Sequence, residues 1–194
     1  MKNLSRGTLV RLCSETPETL VRSSIGWDRD SEARRLGGIA PMRLWSEKKL
    51  REIVDANESN QEHSFRFAIR TLAEDKLIGT TSLWIEDWNH SEAWFGIFIG
   101  DRNCWDQGYG TDATRLVVQY GFCELNLRRI SLGLHSYNER ALKSYLKVGF
   151  QLEGRARGEG LRDGVRFDGL CMGLLREEWK EMDHDKITDS RTAS

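Results

Sequence analysis

The sequence predicts an α+β domain built on one mixed β-sheet. Three observations lead to this prediction. Apolar residues at helical spacing occur early in the chain, three short alternating segments follow between residues 64 and 99, and strands then alternate with helices. Strands joined by short turns pair antiparallel, whereas a strand, helix, strand unit places its two strands parallel. We therefore expect about seven strands, an antiparallel meander joined to one parallel crossover, flanked by helices.

The amino-terminal third contains one predicted strand and two predicted helices. The strand covers Gly7–Cys13, and Pro17 stands in the first turn of a helix over Glu15–Arg22. A second helix over Ser46–Ala56 begins with a serine N-cap and has apolar residues at i, i+3 and i+4. The segment Gly26–Arg43 shows no clear period and stays unassigned.

From residue 64 onward strands predominate. The predicted strands are Ser64–Arg70, Leu77–Ile85, Trp94–Ile99, Arg129–Leu134, Phe150–Glu153 and Arg166–Leu175. Between them, apolar residues recur at helical spacing from Ala113 to Tyr120 and again within Asn138–Val148. Gly149 follows the second helix at the position where a left-handed residue commonly ends a helix.

Composition and charge exclude several classes of protein. The 194 residues carry 29 Lys and Arg against 30 Asp and Glu, and this net charge of -1 does not indicate a basic nucleic-acid binder and leaves the choice of partner to local patches. Four scattered cysteines without a CxxC pair predict neither a zinc module nor a disulfide framework, and no metal site is expected. The longest nearly apolar stretch, Trp94–Ile99, is far shorter than the ~20 residues of a membrane helix.

The chain is predicted to be one domain over residues 1–179 with a polar, mobile tail over residues 180–194. Arg11 interrupts the apolar character of the amino terminus, so no export signal is expected. Unpaired cysteines and the lack of such a signal favour a cytoplasmic protein. Exposed sheet edges in this architecture could also pair two copies as a homodimer.

The segment from Trp105 to Ala113 carries a glycine turn between a strand and a helix. Gly108 and Gly110 allow close approach of a ligand to the backbone, and the first amides of the helix favour an anion such as a pyrophosphate. A tight structural turn is the alternative. A dinucleotide site is disfavoured because the next strand carries no acid, and a phosphate loop of the Walker type is excluded because no Gly-Lys-Ser/Thr occurs.

Four segments, taken in order, resemble the GNAT superfamily of acyl-CoA N-acyltransferases. They are AWFGIFIG, DQGYGTDATRLVVQYGF, ELNLRRISLGLHSYNERALKSYLKVGF and QLEGRARGEGLRDGVRFDGLCMGLLREEW. Within the superfamily, the chain resembles the branch of ribosomal-protein-alanine and spermidine/spermine N-acetyltransferases. The resemblance implies the GNAT fold, in which the parallel strand pair is splayed, and acetyl-CoA as the co-substrate.

The resemblance also implies which residues hold the co-substrate. Amides of the glycine turn would hold the pyrophosphate, and backbone groups at the splay would hold the pantetheine arm. The residues implied in this way are Phe98, Ile99, Gln107, Gly108, Tyr109, Gly110, Thr111, Asn138, Ala141 and Lys143. Trp105 and Gln107 stand where the family often has arginine or glutamine and a basic residue. Phosphate binding is therefore expected to rely on amides, with help from Arg140, Lys143 or Lys147.

Tyr145 matches the tyrosine that many family members place beside the CoA sulphur. A phenol with a pKa near ~10 is protonated at neutral pH and can donate a proton to the departing thiolate. The alternative is a core aromatic, because Tyr145 shares the apolar helix face with Leu142 and Leu146.

The general base is less defined, because Trp94 stands where relatives commonly have glutamate. Glu92 lies on the same strand face as Trp94 and is the residue we expect to serve as the base. The alternatives are Glu86, Asp87, His135 and a water molecule. Asp168 matches an acid that is frequent in this branch, either as a catalytic group or as a tie between loops.

The predicted function is transfer of an acetyl group from acetyl-CoA to a primary amine by direct attack. The acceptor would be a protein amino terminus or a small cationic amine such as a polyamine or an aminoglycoside. Its wall is expected to include Trp27, Asp28, Asp30 and Glu32. A non-catalytic acyl-CoA sensor or partner module is the alternative, favoured by the tryptophan at position 94. Nucleic acid and membranes are not expected partners.

Overall fold

The computed structural model describes residues 3–38, 42–59 and 62–180. Its helices are α1 (Pro17–Asp28), α2 (Ser31–Leu36), α3 (Glu47–Ser59), α4 (Tyr109–Cys123) and α5 (Glu139–Val148). Its strands are β1 (Val10–Cys13), β2 (Ser64–Thr71), β3 (Leu77–Asp87), β4 (Glu92–Ile99), β5 (Arg129–His135), β6 (Gln151–Arg162) and β7 (Val165–Leu175). The polar segment over residues 181–194, for which we predict mobility, lies outside the described residues.

The seven strands form one sheet in the order β1-β2-β3-β4-β5-β7-β6. Every neighbouring pair is antiparallel except β4 and β5, which α4 connects as a parallel crossover. The predicted mixed sheet of seven strands with a meander and one parallel pair is therefore confirmed. Strands β1 and β6 form its edges, and pairing of such edges between two copies stays a prediction.

Strands β4 and β5 are paired over only three residues at their amino ends. The register joins Glu92 to Arg129 and ends at the pair formed by Trp94 and Ser131. Both strands continue beyond this point, β4 to Ile99 and β5 to His135. Their outer edges remain paired with β3 and β7 over that distance. A gap therefore opens within the sheet, with its vertex at Trp94 and Ser131.

The two faces of the sheet are covered by different helices. Helices α4 and α5 pack on the face that carries Phe95, whose ring meets the ring of Tyr145 edge to face at a centroid distance of 6.0 Å. On the opposite face, Phe98 meets Trp27 of α1 at 6.1 Å and lies under Arg34 of α2. The largest buried core residues include Ile69, Ile85, Phe122, Phe150, Ile130, Leu132 and Leu174.

Three elements differ from the sequence prediction. Helix α1 ends at Asp28, six residues beyond its predicted end at Arg22. Helix α2 occupies part of the unassigned segment; it is capped by the Asp30 carboxylate, which accepts from the Ala33 amide at 3.1 Å. Six residues are too few to show a helical period. Strand β6 runs for 12 residues instead of four, because it is a mostly exposed edge strand with register shifts and has no apolar alternation. None of the helices within the described ranges is long and apolar enough to cross a membrane.

A buried carboxylate fixes the start of α4 against the amino-terminal chain. Asp112, in the first turn of the helix, accepts from the amides of Leu9 at 2.7 Å and Val10 at 3.0 Å. It also accepts from the hydroxyl of Thr8 at 3.0 Å. Gly7 leaves room for this carboxylate, since a Cβ there would overlap its oxygens. Asp112 thereby sets the position of the helix end that follows Gly108.

Replacement of Asp112 by alanine is expected to lower the free energy of unfolding by about 2 to 3 kcal/mol, because amides and a hydroxyl with little access to water lose their acceptor. Urea unfolding would measure this change. The matched control is Glu124→Ala, which removes an exposed carboxylate from the other end of the same helix. Equal stability of the two variants would contradict the assigned role of Asp112.

Candidate functional site

The gap between β4 and β5 opens into a cavity of about 590 Å³. Its walls come from β4 beyond Trp94, from the end of β5, from the first turn of α4, from α5 and from the end of α2. A cavity of this size is in the range of small-molecule sites. The following predicted co-substrate residues line it: Phe98, Ile99, Gly108, Gly110, Thr111, Asn138, Ala141 and Lys143.

The hydrogen-bond ladder determines which backbone groups of β4 face the gap. The Gly100 amide donates to the Ile78 carbonyl at 2.9 Å. This bond lies beside the opposed pair Gly79 and Ile99, which is therefore a non-hydrogen-bonded pair of the ladder. Because bonded and non-bonded pairs alternate in an antiparallel ladder, Phe98 directs its backbone groups to β3. Ile97 and Ile99 direct theirs toward β5, where the strands have parted. The expected backbone role thus fits Ile99, whereas Phe98 presents only its side chain to the cavity.

Helix α4 begins at the cavity with uncapped amides. Gly108 precedes the helix at φ 86°, a left-handed conformation that glycine adopts without strain, and no side chain of the described residues caps this end. The amides of Tyr109, Gly110 and Thr111 are therefore not used within the helix. The positive end of the helix dipole lies behind them, which favours an anion at this place. The Thr111 hydroxyl is 2.8 Å from that of Ser144 and links α4 to α5.

Trp105 and Arg140 bring a positive charge to the same cavity. The Arg140 guanidinium lies 3.6 Å from the centroid of the Trp105 ring, and the Trp105 indole donates to the Ile99 carbonyl at 2.9 Å. Burial lowers the pKa of Arg140, although it remains a cation at neutral pH. Lys143 also lines the cavity, 3.4 Å from Glu139. The Gln107 side chain donates to the Asn103 carbonyl and is not in the lining.

Asn138 connects α5 with the end of α2. Its side-chain oxygen accepts from the Ala141 amide at 3.1 Å and caps α5. Its side-chain nitrogen donates to the Leu36 carbonyl at 3.1 Å. Both ends of this amide are therefore engaged by the protein itself, and Asn138 holds two walls of the cavity together. Gly149 ends α5 at φ 110°, as its position in the sequence predicts.

Tyr145 lines the inner part of the cavity near the vertex of the gap. Its ring packs against Phe95 and Phe150, and only 8% of the residue is exposed. Burial raises the pKa of Tyr145 to about 12. The phenol therefore stays protonated at every physiological pH and keeps a proton to donate.

The structure does not bring the predicted base Glu92 to the cavity. Glu92 lies on the closed side of the vertex and forms an ion pair with Arg128 at the surface. The Glu86 carboxylate accepts from the Trp94 indole at 3.1 Å, also outside the lining. Asp87 accepts from the Asn89 amide at 2.7 Å in the turn before β4. Alternation along the strand places Glu92 on the face that carries Trp94. Glu92 is nevertheless outside the gap, because β4 and β5 are still paired at this position.

The other two candidate residues, His135 and Asp168, lie in different surroundings. His135, at the end of β5, lines the cavity. Asp168 accepts from the Gly158 amide at 2.8 Å and lies 3.2 Å from Arg155, so its carboxylate connects β7 with the bulge in β6. These contacts favour the loop tie over a catalytic role for Asp168.

The acids expected in the acceptor wall are paired with arginines. Arg102 binds Asp30 at 2.5 Å and Glu32 at 2.6 Å, and it lowers the pKa of Asp30 to about 2. Asp28 lies 3.4 Å from Arg34, and burial raises the pKa of Asp28. Arg102 therefore engages both Asp30 and Glu32 and offsets one of their two negative charges. In the part of the chain that the structure describes, no cluster of three or more His, Cys, Asp or Glu could hold a metal ion.

Comparison with known proteins places this geometry in a family. The model of the acetyltransferase (GNAT) domain matches residues 8–151. A probable N-acetyltransferase YjcK of Bacillus subtilis is 35% identical over 132 residues, which cover 68% of this chain and 71% of that protein. The spermidine N(1)-acetyltransferase of Escherichia coli is 27% identical over 143 residues, covering 71% and 75% respectively.

A solved structure shows the same fold. The spermidine N-acetyltransferase of Vibrio cholerae, in complex with CoA and spermine, superposes with a TM-score of 0.77 at 22% identity, covering 88% of this chain and 97% of that one. The parted parallel strands and the uncapped helix after the glycine turn thus occur together with a family match over most of the chain. The chain belongs to the GNAT family of N-acetyltransferases.

Proposed function

We propose that the protein transfers an acetyl group from acetyl-CoA to a primary amine by direct attack on the thioester. The observation that carries this proposal is a single cavity that joins an uncapped helix start at one end to a buried, protonated Tyr145 at the other. GNAT acetyltransferases use acetyl-CoA. An anion site and a proton donor in one cavity are the two functions that a CoA thioester requires.

Acetyl-CoA fits the polar groups that the cavity presents. The amides of Tyr109, Gly110 and Thr111 would bind the pyrophosphate, and the desolvated Arg140 would add a charge-assisted hydrogen bond. The edge of β4 that faces the gap, at Ile97 and at the Ile99 amide, would bind the amides of the pantetheine arm, as an added strand does. Bound acetyl-CoA supplies an acetyl group that is already activated as a thioester.

Tyr145 is the proposed acid of the reaction. The nitrogen of the acceptor forms a bond to the acetyl carbon, the bond from carbon to sulphur breaks, and the Tyr145 hydroxyl donates its proton to the sulphur. Burial disfavours the phenolate, but it disfavours the departing thiolate as well, so the affinity of the sulphur for the proton also rises. A hydroxyl already oriented by Phe95 and Phe150 needs little rearrangement for this step.

The charges of the acceptor wall distinguish between acceptor classes. The comparisons include a spermidine acetyltransferase, and a polyamine would bring several positive charges into this site. Arg102 already engages both Asp30 and Glu32 and offsets one of their two negative charges, however, and Arg140 adds a positive charge to the cavity that would repel a polycation. An acceptor with a single amine, such as a peptide amino terminus, avoids the resulting repulsion. We therefore favour this class.

Release of free CoA thiol from acetyl-CoA is expected in the presence of peptides with free amino termini, and to a smaller extent with polyamines or aminoglycosides. A thiol reagent would follow the release across a panel of these amines, with amine-free reactions as the control. The position of Glu92 outside the cavity would also suit a sensor that binds acyl-CoA without turnover. Tight acetyl-CoA binding without release for any amine would support that second function and reject transfer.

The variant Tyr145→Phe is expected to lower kcat by about 10²-fold while leaving acetyl-CoA affinity nearly unchanged, because it removes the donated proton and keeps the ring. Steady-state thiol release and calorimetric titration would measure the two quantities. Tyr120→Phe is the matched control, since Tyr120 packs against Phe65 and Phe67 outside the cavity. A full rate in Tyr145→Phe would exclude the acid role.

Replacement of Arg140 by alanine is expected to weaken acetyl-CoA binding about tenfold, which corresponds to the ~1.4 kcal/mol of a lost charge-assisted contact. The salt dependence of the affinity should also decrease. Arg115→Ala, on the exposed side of α4, is the control. Unchanged affinity in both variants would place the phosphate site elsewhere.

A further inference from the structure

We infer that His135 is the proton acceptor for the attacking amine, a role that rests on the proposed acetyl transfer. Its ring lines the cavity from the side of the gap opposite Phe98, on the face of the sheet away from Tyr145. The argument depends on four observations: the placement of the other acids, the register of the gap, the packing of the ring and the charges around it.

The carboxylates that line the cavity, Asp106 and Glu139, are already associated with cations near the proposed anion site. Asp106 is close enough to Arg140 to oppose the fall in its pKa, and Glu139 lies 3.4 Å from Lys143. Among the described residues of the lining, His135 is the one remaining group, besides Cys104 and Tyr145, that can be neutral at pH 7 and titrate. Tyr145 keeps its proton, so it cannot take another from an amine.

The register places His135 beside the path of the acceptor. Trp94 is level with Ser131 at the vertex, so four residues further on Phe98 is level with His135 across the gap. Alternation puts both on the face that carries Trp94, where α1 and α2 meet Phe98. Tyr145 contacts Phe95 from the other face. The proposed acid and base therefore lie on opposite faces of one gap, which separates the proton taken from the amine from the proton given to the sulphur.

Aromatic packing fixes the ring of His135. Tyr137 stacks on it at a centroid distance of 5.3 Å, and Phe167 meets it at 5.1 Å. Nδ1 is buried and has no hydrogen-bond partner among the described residues. Nε2, at the opposite edge of the ring, is then the nitrogen that can reach the cavity. For Nε2 to accept a proton from the cavity, the neutral ring must carry its own proton on Nδ1.

The surrounding charges keep His135 neutral at pH 7. Burial lowers the pKa of His135, Arg162 of β6 lowers it further, and Glu159 of the same strand opposes both. The Arg162 guanidinium donates to the carbonyls of Arg35 and Gly38. The neighbouring Tyr137 is not an anion at pH 7, because burial raises its pKa. His135 therefore has a free lone pair throughout the physiological range.

The proton balance is complete with these two residues. As the nitrogen of the acceptor bonds to the acetyl carbon, Nε2 of His135 takes the proton that the nitrogen loses, directly or through one water, and later releases it to solvent. Tyr145 protonates the sulphur and is reprotonated from solvent. A base of lowered pKa is matched to an α-amino group, with a pKa of ~7.7 to 8.0, better than to an alkylamine near ~10.4.

The test is the pH dependence of kcat/KM for thiol release with a peptide amine. His135→Gln is expected to lower kcat/KM by about 10²-fold at pH 7 and to remove the inflection below pH ~6.5, where protonated His135 would stop the wild-type reaction. Acetyl-CoA affinity should remain unchanged. Added imidazole should restore part of the rate in His135→Ala, which a purely structural role would not permit. His90→Gln, at an exposed histidine in the turn before β4, is the matched control.

Three outcomes would decide the matter. A wild-type rate and pH profile in His135→Gln would overturn the base role while transfer itself stands. Loss of activity in both His135 variants together with weaker acetyl-CoA binding and no rescue by imidazole would also overturn it. A wild-type protein without thiol release for any amine would reject the proposed function, which is a separate result. If His135→Gln is unstable by thermal melting, His135→Asn carries the same pH measurement.

Discussion

The parting of β4 and β5 is the constraint on which the site depends. Parallel strands in a sheet normally continue to pair, but here three residue pairs are followed by a gap. The gap is stable because each strand is held on its outer edge, β4 by β3 and β5 by seven pairs with β7. The Ile99 carbonyl accepts from the Trp105 indole. The Ile99 amide and the backbone groups of Ile97 also face the gap, and water or a ligand must satisfy them. The fold thus maintains a polar edge in its own interior.

Local sequence features were sufficient for much of the fold and for one end of the site. The glycine turn, the helix after it and the left-handed Gly149 depend on neighbouring residues in the chain, so the sequence predicts them directly. Helix α2 and the full length of β6 could not be predicted, because α2 is short and is held by contacts with distant residues, while β6 lacks apolar alternation. The anchor at Asp112 was missed for the same reason: its partners lie about 100 residues away.

The general base and the charges of the site could not be predicted from the sequence, for a different reason. Alternation along β4 gives the face of Glu92, but only the register with β5 shows where the gap begins. The acids near residue 30 looked available in the sequence, whereas Arg102, some 70 residues away, binds two of them. Trp105 stands where the family often has arginine or glutamine, so the sequence suggested that a polar contact was missing. In the structure, its ring packs against the guanidinium of Arg140. The charge that a site presents therefore depends on which side chains form ion pairs, and only the tertiary structure shows these pairs.

The gap also allows one cavity to reach both faces of the central sheet. The cavity is lined by α5 on one face of the sheet and by α2 on the other, so both layers of helices contribute to its walls. In the proposed reaction, acetyl-CoA and the acceptor can therefore contact different walls at the same time. Such an arrangement favours a ternary complex over a shuttle in which one substrate leaves before the other arrives.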